Sequence, residues 1–370
     1  MLNYILPFII LILVVVFIHE YGHYYFAKRY GVGVTDFSIG FGKEIFGWND
    51  RSGTRWKVCW IPLGGYVKFF GDRNVFSQAD QEKILEKYNE EDRKKLFVLK
   101  PLYQRVLIVF GGPLANFLLA LVIFFSIYTF IGKDFTPAVI NEVQSESPAM
   151  AGGLKENDVI LEIDGNKVKS IMDVSKYIMM STDDFIDFKV ERSYDELLLK
   201  IKPNIVLGED NLGNKINKRV VGIKLGAQNN EINHVKLGPA KAIYYAIYEV
   251  YYVSTSSLKY IGAMIFGKAD TSQLGGPIRI AKISGQVAEF GVLAFISMMA
   301  YISISLGLVN LFPIPMLDGG HLMFYAFEKV LGRPLSQNTQ EGFFRIGLFV
   351  LLSLMVFTTF NDLKDLGLFQ

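Results

Sequence analysis

Apolar and polar positions along the chain fall into long blocks. Leu2 to about Phe26 is apolar, and residues 1–16 carry no charge. Three further blocks follow: "RVLIVFGGPLANFLLALVIFFSIYTFIG" (Arg105–Gly132), about Val292 to Leu311, and "FRIGLFVLLSLMVFTTF" (Phe344–Phe360). A helix needs about 20 mainly apolar residues to cross the hydrocarbon core of a bilayer. The pattern therefore predicts four transmembrane helices. The first block lacks the basic n-region and small-residue cleavage site of a signal peptide, so a retained span is expected. A fifth stretch, Ala242–Gly267, carries Glu249, Lys259 and several Tyr, and reads as an amphipathic helix at the membrane interface.

Between the spans the period changes. "TPAVINEVQSESPAMAGGLKENDVILEIDGNKV" has half-buried strand patterns at both ends around a short helical run, Ser147–Leu154. Gly165 marks a turn. A helix is expected over Ser170–Met180, then strands at Phe185–Glu191 and Leu197–Ile201. Residues 133–226 thus read as one small α/β domain. "TDFSIGFGKEIFGWNDRSGTRWKVCWIPLGGYVKFFGD" reads as a small sheet with turns near Asn49–Gly53 and Gly64–Gly65, followed by a charged, solvated helix over residues 79–96.

The expected organisation is therefore span one (1–26), a β-loop region with its charged helix (27–104), span two (105–132) and the α/β domain (133–226). A linker with the interfacial helix follows (227–290), then span three with a broken end (291–318), a helix and loop (319–343), and span four (344–361).

Composition agrees with a membrane protein: 51% of the 370 residues are hydrophobic, with 30 Phe and 19 Tyr. A net charge of +2 and the lack of basic clusters interleaved with aromatics argue against nucleic acid. The single cysteine, Cys59, excludes an internal disulfide and a CxxC zinc site. Lys28 and Arg29 follow span one, Lys94, Lys95, Lys100 and Arg105 precede span two, and Lys329, Arg333 and Arg345 lie between spans three and four. The positive-inside bias puts 27–104 and 312–343 in the cytoplasm and 133–290 outside.

Chemistry concentrates at "HEYGH", residues 19–23. On a helix, positions i and i+4 share a face, so His19 and His23 can point imidazole nitrogens at one ion. Glu20 then serves as general base toward a water activated by that ion. Zinc suits imidazole and carboxylate ligands with one open position. Two of the chain's four histidines lie here, inside a segment where an ionisable group costs about 2.5–3.5 kcal/mol on insertion scales. That makes plain surface polarity a poor explanation. A third ligand must come from elsewhere. His234 falls in a polar linker on the wrong side. In "SLGLVNLFPIPMLDGGH" (Ser305–His321), Pro313 and Pro315 break span three, and Asp318 follows the break. On residue chemistry alone Asp318 is equally a ligand or an N-cap of the next helix, His321 is a competing ligand, and Asn310 can serve as an interhelical hydrogen bond.

HEYGH, "GGPLAN" (Gly111–Asn116) and "NLFPIPMLDGGH" together resemble the site-2 protease family of intramembrane metalloproteases, in its bacterial branch, that of the regulator of sigma-E protease. "SIGFGK", "IPLGGYVK" and "LGGPIRIAK" fit that branch as well. The resemblance implies zinc held by His19, His23 and Asp318, with Glu20 catalytic. It implies substrate handling by Asn310 and a membrane-associated β-loop around Gly65, Tyr66 and Val67 that receives substrate as an added strand. "SPAMAGGLKENDVILEIDG" resembles a PDZ domain, which implies peptide capture. One such domain fits between spans two and three, where the best-known member of the branch has two. The expected protein is thus a polytopic α-helical membrane protein of four transmembrane helices, with a cytoplasmic-side membrane-associated β-loop region and one extracytoplasmic PDZ-like α/β domain. It would sit among lipid in a bacterial inner membrane, its PDZ-like domain periplasmic. Its expected activity is cleavage of single-span membrane proteins, such as an anti-sigma factor or a remnant signal peptide. The alternatives are a catalytically silent membrane scaffold that recruits peptides and, less well supported, a cation transporter.

Overall fold

A computed structural model describes residues 2–71, 88–209, 215–226, 233–271 and 274–365. The chain divides into two compact units, Met1–Ile123 with Gly275–Gln370, and Phe124–Leu274.

The first unit starts with α1 (Leu2–Arg29). The helix runs through Pro7, whose missing N–H removes one intrahelical hydrogen bond, and stops where Gly31 takes φ +65° and the Val32 amide returns to the Ala27 carbonyl at 2.8 Å. Lys28 and Arg29 sit in the last turn, where cations favour the helix dipole. Next come β1 (Val34–Asn49) and β2 (Arg55–Phe69). These are more than a hairpin. Residues 36–39 pair with 55–58 on one side and with 65–68 on the other, while 44–49 pair with 55–59. The strand order across the sheet is therefore 44–49, 55–59, 34–39, 65–69, with the last segment at an edge. Gly40, Gly42 and Gly64, all at positive φ, allow the bends that fold two strands into four. The turn expected near Gly64–Gly65 is such a bend inside β2. Asp50 organises the other turn: its carboxylate accepts from the Ser52 amide (2.8 Å), the Ser52 hydroxyl (2.7 Å), the Thr54 amide (2.9 Å), the Trp56 indole (3.0 Å) and Tyr24 of α1 (2.9 Å). Phe37 is fully buried against Trp56, ring centroids 4.2 Å apart.

Four long helices complete this unit or lead out of it: α2 (Leu102–Ser126), and, after the second unit, α7 (Val292–Asn310), α8 (Asp318–Leu331) and α9 (Gln337–Asp365). Among the described residues four helical stretches are long and apolar enough to cross a membrane: Tyr4–Arg29, Leu102–Ile131, Val292–Asn310 and Asn338–Lys364. The four apolar blocks of the sequence fall on these helices. Helices α1 and α2 touch through glycine. A Cβ on Gly22 would lie 2.1 Å from the Gly111 carbonyl oxygen, and one on Gly111 would lie 2.7 Å from that of Gly22. Small residues let membrane helices approach this closely. Arg105 of α2 grips Glu328 of α8 in a bidentate pair, 3.0 and 2.5 Å.

The second unit carries a sheet of order β9–β3–β4–β5–β6, built from Ile223–Gly226, Val139–Val143, Val159–Ile163, Ile186–Arg192 and Asp195–Ile201. A separate ladder joins β7 (Asn204–Glu209) to β8 (Lys215–Val220). Ile140, Ile160, Ile163, Ile186, Phe188, Val190 and Ile201 fill the core. Helix α4 (Ile171–Met180) starts with a capping box between Ser170 and Asp173, and a one-turn helix α3 (Pro148–Ala151) occupies part of the run expected over Ser147–Leu154.

Two expectations need correction. Among its described residues, the segment 227–290 holds two helices, α5 (Pro239–Ile265) and α6 (Pro277–Glu289), in different units. Helix α6 was missed because its cap comes from 83 to 86 residues away: Asp362 of α9 accepts from the backbone amides of Gly276, Ile278 and Arg279 at 2.8–3.1 Å. Of the helix expected over 79–96, residues 79–87 lie outside the described residues. The remainder forms a single turn, Glu90–Arg93, capped by Asn89.

Candidate metal centre

His19 and His23 lie one turn apart on α1, their Nε2 atoms 3.2 Å from each other. Helix α7 ends at Asn310, and the chain turns through Pro313, Pro315 and Met316 (φ +88°) before α8 begins at Asp318. The two glycines after Asp318 make this return possible. A Cβ on Gly319 would lie 2.2 Å from the Phe312 carbonyl oxygen, and one on Gly320 2.5 Å from that of Ile314. The N-cap of α8 is Leu317, so Asp318 is not spent on capping. Its carboxylate reaches the histidine pair instead, Oδ2 3.2 Å from His19 Nε2 and Oδ1 3.5 Å from His23 Nε2.

Donor atoms of His19, His23 and Asp318 all lie within 4.8 Å of one another. Asp318 Oδ2 is buried and has no hydrogen-bond partner. Two imidazole nitrogens and a carboxylate oxygen converging in a buried space, one oxygen unsatisfied, suit a divalent cation of the zinc type. The His23 ring is already oriented for this: Nδ1 donates to the Ile108 carbonyl of α2 at 2.9 Å, which leaves the Nε2 lone pair facing the trio. Gly112 of α2 keeps the space open, since a Cβ there would lie 2.3 Å from His23 Nε2 and 2.9 Å from His19 Cε1.

The trio borders a cavity of about 330 Å³ lined in part by Glu20, Gly65, Tyr66, Val67, Asn310 and His321. Val67 lines the same cavity as Glu20, and a Cβ on Gly65 would lie 3.1 Å from Glu20 Cγ. The edge segment 65–69 thus runs beside Glu20. The amide of Asn310 is 3.5 Å from His19 Nε2. His321 lies outside the trio, its ring against Phe324 and Phe344, and His234 belongs to the other unit. Sequence reasoning assigned no part to Ile108, Gly112 or Asn116. The last two lie in the GGPLAN motif, whose composition alone does not say what it faces.

Residues 7–354 match peptidase family M50. The chain belongs to that family. A protein of Agrobacterium fabrum named "Putative zinc metalloprotease Atu1380" is 42% identical over 98% of this M50 chain and 96% of its own length. Metalloprotease MmpA of Caulobacter vibrioides is 35% identical over 96% and 94%. A PDZ domain from Listeria monocytogenes matches 25% of this M50 chain and 88% of its own, with 26% identity and a TM-score of 0.20. This chain is therefore a zinc metallopeptidase of the site-2 protease type, with four helices suited to a membrane.

Proposed function

We propose that this peptidase cleaves single-span membrane proteins within or beside the bilayer, with His19, His23 and Asp318 holding zinc and Glu20 as general base. The single observation that carries the reading is the convergence of those three side chains at the end of a membrane-type helix, with Glu20 on the same cavity. Zinc, when bound, supplies Lewis acidity toward the scissile carbonyl and toward water. The chain's residues supply the rest. Glu20 takes a proton from the attacking water and delivers it to the leaving amine nitrogen.

A helical substrate conceals its peptide bonds in its own hydrogen-bond ladder, and in lipid the unwound groups need new partners. The edge segment of Gly65, Tyr66 and Val67 offers backbone groups for an added strand, and the Asn310 amide offers one more hydrogen-bonding group beside the reacting carbonyl. The far part of the β1–β2 sheet exposes Ile45, Phe46, Trp48, Trp60 and Ile61, apolar surface suited to lipid. In this reading that sheet lies at the cytoplasmic face of a bacterial inner membrane. The sheet of the second unit, PDZ-like and periplasmic, captures a peptide along an edge strand. An anti-sigma factor or a remnant signal peptide fits the substrate class.

The test is Glu20→Gln in the full chain, assayed on a tagged single-span substrate. Zinc content should remain and cleavage should fall at least 10²–10⁴-fold. Undiminished cleavage would remove Glu20 as base. A wild-type protein that binds zinc and peptide but cleaves nothing would favour the scaffold reading.

A further inference from the structure

Asn116 of α2 is fully buried, and its side-chain amide nitrogen lies 3.2 Å from Nδ1 of His19. Its Oδ1 is buried without a hydrogen-bond partner. The residue is held from its backbone: Ser303 of α7, also fully buried, donates its hydroxyl to the Asn116 carbonyl at 2.9 Å. A Cβ on Gly307 of α7 would lie 3.4 Å from Asn116 Cβ. The amide is therefore fixed in place but can still turn about its last torsion.

That torsion decides which nitrogen of His19 carries the proton. With Nδ2 toward the ring, Nδ1 must accept, so Nε2 carries the proton and has no lone pair to offer an ion. This pattern suits a centre without its ion, and it strands Oδ1. A half-turn exchanges the two ends of the amide. Oδ1 then accepts from Nδ1–H, the orphaned oxygen is satisfied, and Nε2 presents a lone pair to the metal. The amide NH2 then takes the place that lacked a partner, and a buried polar group left unpaired costs about 1–3 kcal/mol in either setting, so the turned state is favoured only when an ion holds the Nε2 lone pair. His23 has no such choice, because the Ile108 carbonyl can only accept.

We infer that Asn116 is a positioning residue that sets the tautomer of His19 and switches with metal loading. The inference rests on the zinc reading above. Its test is zinc affinity of the purified full chain, measured by chelator competition beside a thermal melt, for wild type, Asn116→Leu and Asn116→Asp. Loss of an outer partner of a ligating histidine typically costs about 10–100-fold in metal affinity. The leucine variant should lose that much, whereas the aspartate variant, which can only accept from Nδ1–H, should bind at least as tightly as wild type. A purely packing role predicts no such rescue. Wild-type affinity in the leucine variant, or equal loss in both variants, overturns the inference while leaving the zinc reading intact. Failure of the wild type to bind zinc overturns both. Where a variant does not fold, ¹⁵N-histidine spectra of the wild type decide: loaded protein must show His19 protonated at Nδ1 and metallated at Nε2, and the opposite assignment refutes the proposal.

Discussion

Gly112→Ala adds one methyl group to the centre and touches no ligand chemically. Its Cβ would lie 2.3 Å from His23 Nε2, 2.6 Å from His23 Cε1 and 2.9 Å from His19 Cε1. Carbon pairs rest at about 3.5–4.0 Å, so the rings or the helix must move by roughly 1 Å. Helix α2 cannot easily retreat, because Gly22 and Gly111 hold it against α1 by backbone contact. The load therefore falls on the imidazoles. Zinc–nitrogen distances of about 2.0–2.1 Å tolerate changes of about 0.2 Å, and the displacement is several times that. Overpacking itself costs about 1–3 kcal/mol. Misplacing a catalytic group by 1 Å can cost about 10²-fold in rate, near 2.7 kcal/mol.

The assay is zinc per chain by atomic emission, chelator competition, and the rate on a membrane-spanning substrate, with a thermal melt to separate local from global damage. Gly262→Ala in α5 is the control, since nothing lies within 4 Å of its added Cβ; it should be neutral or stabilising by about 0.5–1 kcal/mol. The expected result is a folded Gly112→Ala protein with zinc affinity and activity each down at least about 10²-fold. Stoichiometric zinc at wild-type affinity with full activity would mean that α1 and α2 do not meet as described.

Asp318→Asn removes the charge but keeps the shape, so zinc should be held far less tightly with little change in melting; unchanged zinc content by atomic emission would require another ligand, His321 first. Asp50→Asn keeps one acceptor oxygen of the cradle and should destabilise the β1–β2 sheet by roughly 1–3 kcal/mol, read by hydrogen exchange over residues 34–69. Burial pushes the Asp50 carboxyl up, but hydrogen bonds from Ser52, Trp56, the Thr54 amide and Tyr24 outweigh it and hold it well below the usual carboxylate range. Its contribution to stability is thus fully present above about pH 4, the ordinary aspartate value, and drains away as pH falls from there toward the lowered folded value. A sheet whose acid sensitivity is the same in wild type and Asp50→Asn would refute that account. Asp362→Asn should free the N-terminus of α6, with faster amide exchange at Gly276, Ile278 and Arg279 and no change in zinc binding; unaltered exchange there would show that the cap comes from elsewhere.

Local order was legible in the sequence because its causes are local. Four apolar blocks became four long helices, since a backbone without water must bond to itself. HEYGH put two imidazoles on one face, since the helical period leaves no alternative. The strands of residues 139–201 followed from alternation, and the helix between them from its own local pattern. Everything that required two distant segments to meet was left open. Residue chemistry could not say whether Asp318 caps the next helix; the return through Pro313–Met316 onto Gly319 and Gly320 carries its carboxylate to the histidine pair and leaves Leu317 as the cap. The folding of β1 and β2 into four sheet segments depends on bends at Gly40, Gly42 and Gly64, and helix α6 on a carboxylate in α9. The close partners of the histidines, Ile108, Gly112 and Asn116, sit in an apolar helix whose pattern says only that it is buried. Periodicity fixes which way a side chain faces on its own element, whereas what it meets there is set by the packing of other elements, and only the tertiary structure holds that information.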